Sequence, residues 1–403
     1  MERRRTAGTR RGRAAVLAVT VVCLAYAPIA VTELWPYARP GAPALGEWVL
    51  GRTVSPEFVA EAVRDRAEPY ERSLVPLIVH SVLGGLLMLL GPVQLLSAVR
   101  RRIRLHRAAG TVFAVTVYAS MAGAALYLVR TPPAEAFSGA AFWIVLATIL
   151  VGTVGSVTFG VLAAVRGFPD LHQRWMLLCY GFLMTAPLLR LEWGALPRLY
   201  PGLDILDVNR VAIMHLGALV VFGALLASRA LDRRTSVPGL TGTWCPAPVR
   251  VAVHLAGAAG LAWITVSFLD GGTAGRRLLL AYLVPYGAMY AVVAVRAARA
   301  RARGALWAAE EWGLHLAALC LAPAFSAVTV PVLERTLGLD RVTALIAGAG
   351  IGVGVLAYAA VTAVSLRILH AREVVRRQEP PAAGPALVRT GPASAATREG
   401  ERA

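Results

Sequence analysis

Lysine is absent from this 403-residue chain, and all 41 of its basic residues are arginine. Against 23 acidic residues they leave a formal charge of +18, which by itself could point to nucleic acid. An arginine-only basic set fits a GC-rich coding sequence as well, and the positions of the arginines decide between the two. Cysteine is scarce: Cys23, Cys179 and Cys320 lie inside apolar runs and Cys245 lies in a connection, so neither a disulfide framework nor a CxxC pair is present. GxSxG, HExxH and P-loop motifs are missing, and no apolar run holds a carboxylate pair, so the sequence gives hydrolytic chemistry no support.

Hydrocarbon fills the sequence instead. Hydrophobic residues make up 57%, charged residues 16%, and the mean hydropathy is +0.61, outside the usual soluble range. Leu74–Val99 carries no formal charge; at ~1.5 Å per helical residue it reaches ~39 Å, enough to cross a ~30 Å hydrocarbon core. Within it His80, Gly84, Leu87, Gly91 and Gln94 recur at helical spacing, which puts an imidazole, two glycines and an amide on one face. An imidazole in a span is costly unless it meets protein, water or a cofactor, so this face should turn inward.

Nine further apolar runs give an expectation of about ten crossings: Ala14–Val31 before this one, then Ala109–Val129, Gly139–Val165, Trp175–Leu196, Val211–Leu231, Val251–Leu269, Leu278–Val295, Trp312–Leu333 and Val342–Leu366. The expected class is an all-α, polytopic membrane bundle with both termini cytoplasmic, in a bacterial inner membrane. With that orientation 28 of the 41 arginines fall on inner segments, so the basicity reflects topology and attraction to lipid, without nucleic acid. Residues 1–33 form an Arg-rich start and first span. No small-residue cleavage site follows that run, so it reads as uncleaved. Residues 34–73 form an outer loop with a short helix beginning at Ser55-Pro56-Glu57. Residues 74–231 hold five spans, 232–250 a linker, 251–369 four more spans, and 370–403 a disordered tail rich in Pro, Ala and Gly.

Histidines mark the candidate site. His80 and His215 lie at similar depth near the outer ends of their runs, and His106 and His172 near the inner ends. Two storeys of paired imidazoles are what two b-type haems would need as axial ligands, with iron as the metal, and Arg190, five turns beyond His172, could hold an outer propionate. Plainer readings use the same residues. Histidines beside arginine sit among headgroups, glycines serve close helix packing, and Arg190 could pair with Glu192 or Asp204. In the second half only His254, His315 and Glu310-Glu311 stand out.

Four motifs, H-S-V-L-G-G from His80, G-P-V-Q from Gly91, R-L-H-R-A-A-G from Arg104 and L-H-Q-R-W-M from Leu171, together with Arg190 downstream, resemble the bacterial membrane family called domain of unknown function 2306. The resemblance covers about Leu74 to Leu231. It implies a compact helical membrane bundle and no activity, and its histidine layout is similar by analogy to transmembrane dihaem cytochromes. Three functions remain open from sequence: an electron-transfer protein with haem b and a redox partner or quinone, a small-molecule or lipid transporter whose polar cavity is lined by His80, Gln94, Arg190 and His215, and a non-catalytic assembly factor.

Overall fold

The computed structural model describes residues 2–232, 234–240 and 243–378. Within them the regular structure is helical throughout. The first span, α1 (Glu2–Thr32), is followed by three extramembrane helices, α2 (Trp35–Ala38), α3 (Leu45–Thr53) and α4 (Pro56–Glu71). The family-like segment follows as α5 (Leu74–Leu95), α6 (Ser97–Arg101), α7 (Ile103–Arg130), α8 (Gly139–Val165), α9 (Pro169–Leu183), α10 (Thr185–Leu199) and α11 (Ile205–Leu231). The second half is α12 (Ala247–Leu269), α13 (Gly272–Ala302), α14 (Leu306–Leu337) and α15 (Arg341–Gln378).

Among the described residues eight helices are long and apolar enough to cross a membrane, and they include α1, α5, α7, α8 and all four helices of the second half. The expected fifth crossing is broken instead. Pro187 lacks an N–H, and its ring would press on the carbonyl of Leu183 in a continuous helix. The chain therefore ends α9 at Leu183 and restarts α10 at Thr185. The sixth apolar run forms α11, whose 27 residues reach ~40 Å.

Ser55 caps α4, its hydroxyl accepting from the Phe58 N–H at 3.2 Å with Pro56 in the first turn, as the Ser-Pro-Glu triplet predicts. The outer segment is more ordered than a loop with one helix, since α2, α3 and α4 occupy most of it. At the other end α15 continues to Gln378, into the stretch expected as tail; the rest of that tail, residues 379–403, lies outside the described residues.

Helix α5 packs between α1 and α7, α8 packs on α9, and α15 lies against α14, α11 and α8, joining the two halves. The stretch expected as a linker takes part in this packing: Val237 is buried in a cluster with Leu171, Trp175, Trp307 and Ile368. Close approach of α5 and α7 depends on Gly123, because a Cβ there would sit 2.4 Å from the Pro76 carbonyl oxygen. Gly84 is the contrast, since a Cβ there would meet nothing within 4 Å. Gly123→Ala should therefore lower the thermal unfolding midpoint of the detergent-solubilised protein, at a cost of ~1–3 kcal/mol, and Gly84→Ala should leave it unchanged or raise it.

Candidate functional site

A cavity of about 210 Å³ opens inside the first half, bounded by α1, α5, α7, α8 and the broken pair α9–α10. One part of its wall is apolar: Met88, Met121, Leu150, Phe182 and Leu183. Another is polar, with Glu33, Arg190, Tyr26 and Tyr70, and on the helix pair α5–α7 with His80 and Ser120. The one-residue helix break at Met184 falls beside this space, with the Met184 N–H still donating to the Tyr180 carbonyl at 3.0 Å and its carbonyl accepting from Leu188 at 3.2 Å.

His80 is held by α7. Its Nδ1 lies 3.0 Å from the Ser120 carbonyl oxygen and 3.1 Å from Ser120 Oγ, and Ser120 Oγ donates to the His80 carbonyl at 2.9 Å. A carbonyl only accepts, so these bonds assign the proton to Nδ1 and leave Nε2 as the ring's acceptor. The charged rim has a partner that the sequence did not reveal. Arg190 bonds Glu33, the first acidic residue after span one, rather than Glu192 or Asp204. The same Glu33 oxygen accepts from Arg66 Nη1 at 3.3 Å. Arg190 stacks at 4.1 Å on Trp193, and Arg66 lies 5.5 Å from the same ring. Trp193 is fixed in turn by its N–H, which donates to Asn209 Oδ1 at 3.1 Å.

The four histidines expected as ligands separate into one pair and two singles. His106 and His172 do meet, with ring centroids 6.4 Å apart and planes at 80°. His172 Nδ1 donates to the Gly160 carbonyl at 2.8 Å, which turns its Nε2 away from that bond, and His106 Nδ1 is buried with no hydrogen-bond partner. His80 and His215 are not brought together as expected. His215 is absent from the cavity lining and donates from Nδ1 to Glu192 Oε2 at 3.0 Å, and their helices α5 and α11 do not pack along one another. His80 and His215 hold different Nδ1 partners on helices that do not pack along one another, so they do not form the facing outer pair, and Arg190 already spends one of its donors on Glu33. Of the glycines on and beside the His80 face, Gly84 lines the cavity, whereas a Cβ on Gly85 would strike Val31 and one on Gly91 would strike Tyr180. Gln94 is likewise outside the lining. Among the described residues no group of three or more His, Cys, Asp or Glu side chains could hold a metal ion.

At the inner end of the bundle the sequence reading missed a buried ionic cluster that ties the halves together. Glu311 on α14 is fully buried and accepts from Arg229 Nη1 at 2.7 Å and from Arg174 at 3.3 and 3.4 Å. Arg174 also reaches Asp232 at 2.5 Å, and Arg234 bridges Asp232 and Asp170 at 2.8 and 2.9 Å. Burial works against the Asp170 carboxylate, but hydrogen bonds from Arg372 and Arg234 outweigh it and hold the group below its ordinary range. His315 is buried one turn beyond Glu311, 6.3 Å from the Trp312 ring, and His254 bonds the Arg250 carbonyl of its own helix, so these two histidines keep separate company. A lone Glu-Glu dipeptide at the start of an apolar run was the available signal, since a buried carboxylate requires a cationic partner.

Neither a curated protein nor a solved structure matches the chain. A family model does match, over the segment that carries α5 to α11 and builds most of the cavity wall. The molecule is a multi-pass membrane protein whose residues 77–228 match the model of the family described as Predicted membrane protein (DUF2306).

Proposed function

We propose that this protein binds, and moves within or across the membrane, a small amphipathic molecule. The observation that carries this reading is the cavity: about 210 Å³ of space with an ion pair and an imidazole on one part of its wall and thioether, aliphatic and aromatic side chains on another. A few convergent polar groups in a mostly apolar pocket are the usual form of a small-molecule site. The volume lies below the ~300–1,000 Å³ of drug-sized sites, so the occupant is a single chain or a small ring with one polar end. Saturating amphiphile should raise the unfolding midpoint of the purified full chain, because a ligand that binds only the folded state stabilises it by mass action. No shift with any chain length or head group would remove the reading.

A second, redox reading is favoured by one observation, the inner pair. His106 and His172 approach each other, and the bond from His172 Nδ1 to the Gly160 carbonyl leaves Nε2 free to ligate, as metal-bound imidazoles require. His106 and His172 would hold a haem or another metal group between α7 and α9, and that group would supply electron transfer. A Soret band in the purified protein, lost in His172→Ala, is the expected sign; a colourless protein purified with haem supplied would contradict it.

A further inference from the structure

Two guanidiniums share one carboxylate at the polar wall of the cavity: Arg190 and Glu33 line it, and Arg66, outside the lining, bonds the same Glu33. Arg66 and Arg190 both bond one oxygen of Glu33, and their side chains are only 4% and 17% exposed. The other carboxylates on the surrounding elements do not restore the balance. Glu192 on α10 is engaged by His215, and Glu71 on α4 is exposed. Glu47 on α3 has an oxygen, Oε1, that is buried without a hydrogen-bond partner; burial raises its carboxyl above the ordinary range toward the neutral form, and Arg66 only partly opposes this. Arg190 spends one donor on Glu33 and lays its flat face on Trp193, and a guanidinium has five N–H donors in a rigid fork. Tyr26 and Tyr70 add hydroxyls to the same wall, which makes the rim rich in donors with Glu33 as its one charged acceptor.

Taking the amphiphile reading of the cavity as given, we infer that its polar end is an anion, a carboxylate or a monophosphate, recognised by the N–H edge of Arg190 beside Glu33. Planar, bidentate recognition of such oxygens is what arginine offers over other cations. The apolar chain then lies against Met88, Phe182 and Leu183. Carboxylate heads would come from free fatty acids and phosphate heads from lipid monophosphates.

The test compares dodecanol, dodecanoate and dodecyl phosphate on the full chain in an uncharged detergent, by thermal shift and by competition binding. Both anions should bind at least about tenfold more tightly than dodecanol, since a hydrogen bond to an ionised group is roughly twice as strong as one between neutral groups. Whichever anion binds more tightly identifies the source. Arg190→Gln should reduce the preference to less than about threefold while dodecanol binding persists. Should that variant fail to fold, Glu33→Gln serves in its place: with the competing carboxylate gone, anion affinity should rise about tenfold. Dodecanol binding as tightly as the anions, or Glu33→Gln weakening them, would overturn the inference and leave the cavity reading standing. If none of the three binds, both fall.

Discussion

Glu311→Gln should destabilise this protein more than any other single change considered. Its carboxylate is fully buried between Arg174 and Arg229, and Arg174 is itself only 3% exposed. Neutralising it leaves two guanidiniums inside the fold against Asp232, which already serves Arg234 as well. Removing one member of a buried ion pair costs ~3–5 kcal/mol, because the charge left behind has lost both water and partner. The expected result is a large fall in unfolding midpoint and yield. Removing a facing cation at the same time, in Glu311→Gln with Arg229→Gln, should recover part of the loss. If the double variant is no better than the single, the cluster does not act as a coupled unit.

Gly84→Phe should abolish amphiphile stabilisation without unfolding the protein. Gly84 lines the cavity, and its Cβ position is open, so a ring there enters empty space instead of a neighbouring helix. Filling a cavity with apolar volume is neutral or favourable for stability when no atom is displaced. The variant should therefore unfold at or above the wild-type temperature and show no further shift on adding ligand. The same replacement at Gly85 would strike Val31 and the Ala27 carbonyl on α1, and should cost stability outright. A wild-type ligand response in Gly84→Phe would place binding elsewhere.

Span-level structure was legible because it rests on apolar run length, which needs no partner information. The exception, the broken crossing, had its cause in view at Pro187, but a hydrophobic window counts proline as filler and not as a missing N–H. Site residues were legible one at a time. His80 and Arg190 declared themselves as ionisable groups in hydrocarbon, and both line the cavity. Their partners did not, since Glu33 lies 157 residues from Arg190, and Glu311 lies 137 from Arg174. Depth matching joined His106 to His172 and failed for His80 and His215, because equal depth says nothing about which helices are neighbours around a bundle. That information resides in side-chain complementarity between α5, α7, α10 and α11.

The central claim is that the cavity between α5, α7, α8 and α9–α10 is where an amphiphile sits. Photolabelling of the membrane-embedded full chain with dodecanol bearing a diazirine near its methyl end, read by peptide mapping, tests it directly. Adducts should concentrate on Met88, Leu150, Phe182 and their cavity neighbours and vanish in Gly84→Phe. Labelling confined to exposed outer faces such as Val115 and Val151, unchanged by the substitution, would contradict the account.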